Sequence, residues 1–160
     1  MEAPLDARSG EPAAEAAAQP PPIEVACGGS TCPVVDGNFC CYVGERGTWS
    51  CPGPSDGCGV TATGVRTRLF CDGADDCAPG EGCCYQATIF QGAFIDSFAS
   101  CLDARACPVR DDQKDHLTAG WSVCDPAHAA SDCPGGTCTA ARSLPKVPPQ
   151  APPNLHVCVR

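Results

Sequence analysis

The sequence predicts a small disulfide-rich, mostly β fold, organised as three tandem cysteine-stapled modules, each a short lead-in strand followed by a β-hairpin. Three observations predict it. Cysteine supplies 16 of 160 residues, a density and an even count that mark a disulfide framework. Gly and Pro contribute 17 each while aromatics make up only 6%, so each short segment needs covalent staples in place of a large core. Finally, the cysteines recur in a spaced pattern.

The first module, residues 23–60, reads Cys27-x4-Cys32-x7-Cys40-Cys41-x9-Cys51-x6-Cys58. The second, 66–108, reads Cys71-x5-Cys77-x5-Cys83-Cys84-x16-Cys101-x5-Cys107. The third, 120–160, reads Cys124-x8-Cys133-x4-Cys138-x19-Cys158 and has one cysteine where the others have a doublet. Flanking residues recur as well: "GNFCCY" answers "GEGCCY", and "DDCAPGEGCC" answers "SDCPGGTC".

Each module opens on a β-branched or aromatic run into its first cysteine, "PIEVAC", "TRLFC" and "GWSVC", read as lead-in strands. The doublet segments "NFCCYV" and "GCCYQATIF" read as second strands, and "GTWSC", "DSFASC" and "LHVCV" as third strands closing a hairpin. "GGST", "DGADD" and "DPAHAASD" are turn-rich by Gly, Asp and Pro content. Residues 109–119, with "RDDQKDH", read as a charged linker with room for one helical turn, and residues 1–22, rich in Ala and Pro, as a disordered arm.

The doublets define the scaffold's logic. Adjacent Cα atoms lie about 3.8 Å apart, closer than a relaxed disulfide spans, and in a strand their side chains point to opposite faces. Each doublet cysteine must therefore find a separate partner. Spacing alone leaves fifteen pairings for each six-cysteine module and three for the four-cysteine one.

The spacing C-x5-C-x5-CC over Cys71 to Cys84, with Asp76 before Cys77 and Pro79-Gly80 after it, resembles the whey acidic protein type four-disulfide core. It departs from that family in lacking two leading cysteines, in the gap of 16 after the doublet, and in placing Pro79 after Ala78. The three-unit layout as a whole resembles cysteine-rich exported proteins and lipoproteins of myxobacteria. The four-disulfide-core resemblance implies Cys71–Cys83, Cys77–Cys107 and Cys84–Cys101. By analogy it implies Cys27–Cys40, Cys32–Cys58 and Cys41–Cys51 in the first module, and Cys124–Cys138 and Cys133–Cys158 in the third. It also brings an alternative function, protease inhibition, although the inhibitory loop of that family lies between the two cysteines missing here.

Such cysteine density implies an oxidising compartment, extracellular or at the cell surface or periplasm. "MEAPLDARSGEPAAEAAAQPPP" has no basic n-region and no apolar h-region. The expectation is that the native leader is not part of this sequence and that an initiating methionine stands in its place. The arm is then a candidate tether to the envelope, as in a lipoprotein. A net charge of −9 argues against nucleic acid as a partner.

No catalytic motif, cofactor site or metal site is read. The chain has no C-x2-C knuckle, no G-x-S-x-G and no H-E-x-x-H, and no motif unites His116, His128 and His156. Asp72, Asp75 and Asp76 lack the full calcium-loop pattern and read as turn and capping residues. Phe39, Tyr42, Trp49, Phe70, Tyr85 and Trp121 read as small aromatic clusters packed on disulfides. The function expected is therefore an exported binding or structural protein of surface or adhesion type, without catalysis. Its candidate contact lies in "QATIFQGAFIDSF", where Ile89, Phe90, Phe94, Ile95 and Phe98 surround Gly92. Two outcomes are open there: the tip folds back over a neighbouring module, or it stands exposed for a partner protein or for self-association.

Overall fold

A computed structural model describes residues 23–34, 37–53, 55–58, 66–107, 110–113, 116–145 and 147–160. The arm expected over residues 1–22 lies outside the described residues, as do the side chains of residues 110–113 and 116. The strands are, in order, Ile23–Cys27 (β1), Ser30–Val34 (β2), Cys40–Val43 (β3), Thr48–Ser50 (β4), Arg66–Leu69 (β5), Glu81–Phe90 (β6), Ala93–Asp103 (β7), Arg110–Gln113 (β8), His116–Ser122 (β9), Thr137–Ala140 (β10) and His156–Val159 (β11). One helical turn, Ala129–Asp132 (α1), interrupts the third module. The fold is small, disulfide-rich and mostly β, and in every module a lead-in strand (β1, β5 or β9) precedes a hairpin (β3–β4, β6–β7 or β10–β11).

Three features depart from the expectations. Ser30 and Thr31, from the turn-rich "GGST", begin β2, which runs on through Cys32-Pro33-Val34 and pairs with β1 in register from Ile23↔Val34 to Cys27↔Ser30. The linker expected over 109–119 forms β8 and β9, an antiparallel pair beside β6. The ten-residue β6 supplies the reason: its edge opposite β7 would leave a row of backbone donors and acceptors unpaired, and β9 occupies it from Cys84↔Ser122 to Phe90↔His116.

The third departure is the disulfide pairing. Cys27–Cys40, Cys71–Cys83, Cys124–Cys138 and Cys133–Cys158 coincide with the pairs the resemblance implies. The other four bonds are Cys32–Cys51, Cys41–Cys58, Cys77–Cys101 and Cys84–Cys107, in place of Cys32–Cys58, Cys41–Cys51, Cys77–Cys107 and Cys84–Cys101. Strand register gives the physical reason. Directly opposed residues share a face, and Cys101 stands opposite Cys83 while Ser100 stands opposite Cys84. Cys101 therefore points away from the side that Cys84 occupies. A one-residue register shift between Thr88 and Ile89, which leaves Ile95 as the extra residue, sets this parity. Without it Cys101 would share the face of Cys84. In the first module Cys41 likewise faces Ser50, so Cys51 falls on the side of Cys40.

One order of pairing then holds throughout: first to third, second to fifth, fourth to sixth. The third module keeps the first two bonds and lacks the last, with Thr139 after Cys138 where the doublets have their second cysteine.

The modules share one sheet and one core. The sheet runs β4-β3-β5-β7-β6-β9-β8, with β5 antiparallel to β3 of the first module and parallel to β7 of its own. Its inner face carries Leu69, Tyr85, Ala87 and Ala99, all buried, together with a hydrogen-bonded Thr67–Ser97 hydroxyl pair at 2.7 Å. Val25 from the β1–β2 hairpin belongs to this cluster, and so do Ala141, Val147, Ala151, Leu155 and Val157 from the third module.

The third module's long connection thus folds back over the sheet. Four of the nine residues of "VPPQAPPNL" are proline, which lacks a backbone donor, and Val147, Ala151 and Leu155 donate to Leu144, Pro148 and Pro152 in successive turns. An irregular segment can therefore be buried without orphaned N–H groups. Arg142 locks it to the first module, donating from its guanidinium to the Tyr42 hydroxyl at 2.6 Å and to the Ala151 carbonyl. Gly44, in the β3–β4 turn, admits the close approach: a Cβ there would lie 2.6 Å from the side chain of Gln150.

The aromatic clusters pack as pairs, Phe39 with Phe70 at 5.4 Å, Tyr42 with Trp49 at 4.6 Å and Tyr85 with Trp121 at 6.0 Å between ring centroids. Tyr85 is fully buried and its hydroxyl makes no well-formed hydrogen bond. Burial pushes its pKa up to about 12, against the opposing pull of the nearby Ser97 and Thr67 hydroxyls.

Candidate contact surface

The β6–β7 hairpin turns through Gln91 and Gly92, with φ of 49° and 78°. Positive φ at both central residues is the two-residue turn whose twist suits a tight hairpin, and Gly92 takes the second position at no steric cost. Phe90 opposes Ala93 across it. The register shift two residues further along divides the apolar side chains of the tip. Phe94 opposes Ile89 and packs against the core, and Ile89 is half-buried. Ile95, the extra residue, is 52% exposed, and Phe90 is 41% exposed.

Phe98 does not belong to the tip. It lies on the sheet's outer face, opposite Arg68 of β5, with the guanidinium 5.9 Å from its ring centroid. Arg68 also pairs with Asp96 at 2.6 Å. The five side chains expected together therefore separate into an inward pair, an outward pair and one cation-stacked ring. Sequence patterning missed the bulge that separates them, for which "QGAFID" carries no local signal.

The acidic residues cap and bridge the backbone. Asp76 Oδ2 accepts from the N–H groups of Asp72 and Gly73, and Asp72 Oδ2 accepts from the N–H of Ala26 in the first module at 2.6 Å. Burial is the largest cause raising Asp72 to a pKa of about 6, with Asp76 adding a side-chain hydrogen bond and its charge and Asp75 a further charge; the Ala26 N–H opposes them. His128 pairs with Asp125 at 3.2 Å, and His156 Nδ1 lies 2.9 Å from the Asn154 carbonyl, in different parts of the third module. Among the described residues, the metal-ligating side chains that converge in threes are disulfide cysteines: Cys71, Cys77 and Cys101, and Cys124, Cys133 and Cys138.

A groove of about 420 Å³ lies where the start of β6 and the end of β9 meet the third module. Trp121, Val123 and Pro134 give it apolar walls, Glu81, Asp132 and Arg160 add both signs of charge, and the Cys133–Cys158 disulfide lines it. Val123 forms its inner boundary, donating to the Cys83 carbonyl and bridging to Val157. Comparison with protein-family models, with curated proteins and with solved structures finds nothing that matches this chain.

Proposed function

We propose that this is an exported, non-catalytic binding or structural protein of surface or adhesion type, which makes its contact through the tip of the β6–β7 hairpin. The observation that supports this reading is the exposure of Phe90 and Ile95 on a hairpin whose base is stapled on both faces. A small domain buries its large apolar groups where it can, and exposed ones held at a fixed tip suit a protein contact. Eight disulfides with no free cysteine agree with an oxidising extracellular or periplasmic environment. The partner is a second copy of the chain or another envelope protein, and the N-terminal arm serves as the tether.

The test pairs two variants. Phe90→Ser with Ile95→Ser is expected to leave the melting temperature within a few degrees of the parent. It should also abolish self-association in sedimentation velocity, or partner cross-linking from a photoreactive residue at position 93. Phe94→Ser should instead lower stability by roughly 2–4 kcal/mol through lost burial and a cavity. A double variant that keeps both its association and its cross-links would overturn the assignment.

A further inference from the structure

We propose that the four cysteines Cys71, Cys77, Cys83 and Cys101 of the second module, and likewise Cys124, Cys133, Cys138 and Cys158 of the third, form thiol–disulfide exchange sites. A thiolate partner converts each of them between two pairings. The site does not depend on the tip contact.

Both pairings are prepared in the backbone. In the present one, Cys71–Cys83 and Cys77–Cys101 tie the turn-rich loop to the hairpin. In the other, Cys83 would join Cys101 and Cys71 would join Cys77. Cys83 stands directly opposite Cys101 in the β6–β7 register. The Cys83 carbonyl accepts from Val123 and so points away from β7, which makes this a non-hydrogen-bonded pair. Such pairs have Cα atoms about 4.5 Å apart, inside the range a disulfide spans. The sulfurs of Cys71, Cys77 and Cys101 already lie within 4.8 Å of one another.

The third module has the same arrangement. Cys138 stands opposite Cys158, the His156 carbonyl points away from β10 to accept from Cys124, and the sulfurs of Cys124, Cys133 and Cys138 lie within 4.8 Å of one another.

Access sets the order of events. Cys77 and Cys101 are half-buried while Cys71 and Cys83 are sealed, and Cys158 is half-buried on the groove beside Trp121. An incoming thiolate attacks the Cys101 sulfur, breaks its bond to Cys77 and forms a mixed disulfide. The Cys77 thiolate attacks Cys71, which releases Cys83 as thiolate. Cys83 then attacks Cys101 and expels the original thiol, so the exchange consumes no oxidant and no reductant. Cys158, Cys133, Cys124 and Cys138 take the corresponding roles in the third module. The outcome is mechanical: the loop closes on itself, the hairpin closes on itself, and the two are no longer tied.

The first module differs. Its second cysteine, Cys32, is fixed in β2 opposite Val25, and its sulfurs are not among the converging sets. It therefore serves as an internal control.

The test incubates the native protein anaerobically near pH 8 with a small amount of reduced glutathione as the thiolate, then traps it by alkylation. Cleavage before aspartate and after Glu81 puts Cys71, Cys77, Cys83 and Cys101 on separate peptides, trypsin separates Cys138 from Cys158 at Arg142, and backbone fragmentation between Cys133 and Cys138 in the mass spectrometer assigns the partner of each. The expected result is the appearance of Cys71–Cys77, Cys83–Cys101, Cys124–Cys133 and Cys138–Cys158 peptides, while the first module and Cys84–Cys107 keep their bonds. Three results overturn the proposal: no opening at all, alkylated Cys77, Cys101, Cys133 and Cys158 without the new linkages, or exchange that begins at Cys84–Cys107 or in the first module.

Discussion

Asp72 joins two modules through one carboxyl, and its titration is the residue-scale consequence of that position. It accepts from Ala26 of β1 while lying beside Asp76, which already accepts two backbone N–H groups from the same turn. Its pKa of about 6 stands above the ordinary 3.8, so the folded chain holds a proton that the unfolded chain releases. The resulting stability is fully present below about pH 4 and is lost as the pH rises through about 6. The carboxyl keeps part of its hydration, which limits the effect to about 1 kcal/mol. Thermal denaturation should therefore show a higher melting temperature at pH 5 than at pH 7. Asp72→Asn, which keeps an acceptor for Ala26 and removes the charge, should flatten that dependence and raise stability at pH 7. An unchanged slope in the variant would remove Asp72 as its source.

At the scale of elements, the legible part of the fold was the part written in local chemistry. Lead-in strands ending at Cys27, Cys71 and Cys124, and hairpins that carry the doublets, follow from β-branched runs and turn residues around each cysteine. Their neighbours in space were not legible, because β2 and β8 carry no alternating apolar pattern of their own and become strands by pairing with β1 and β9. Pairing failed for a sharper reason. A single extra residue, Ile95, reverses which doublet cysteine shares a face with Cys101, and the residue types around a bulge do not announce it. The same bulge divided the candidate tip, sending Phe94 inward and Ile95 outward.

The common order of bonds also ranks them. The fourth-to-sixth bond is absent from the third module, whose hairpin still forms, so Cys84–Cys107 reinforces a hairpin that two other bonds already hold. Replacing Cys84 and Cys107 by alanine should cost about 2–4 kcal/mol, the usual worth of a disulfide closing a loop of this size. Peptide mapping should still find Cys71–Cys83 and Cys77–Cys101. Scrambling of those two bonds in the variant would show that the buried bond directs the others.

For the whole molecule, the modules are separate in their disulfides and joined in everything else. All eight bonds fall within a module, yet β5 pairs with β3, β9 pairs with β6, and one hydrophobic cluster draws on all three. Covalent staples hold each hairpin, while the burial that fixes the assembly comes from the third module's proline-rich return across the inner face. A chain shortened after Val123 should consequently keep its six native disulfides but uncover Leu69, Tyr85, Ala87 and Ala99, with Arg142 no longer donating to Tyr42. Exposing that face removes apolar burial worth about 25 cal/mol per Å². The shortened chain should bind a hydrophobic dye, and its β5 and β6 amides should exchange faster. Arg142→Ala in the full chain is the graded form of the same test. It loses a side-chain hydrogen bond to Tyr42 and one to Ala151, at a cost of about 1–2 kcal/mol, without opening the sheet. If the shortened chain stays dye-silent with native amide protection, the first two modules cover their own inner face and the joining role of the third is refuted.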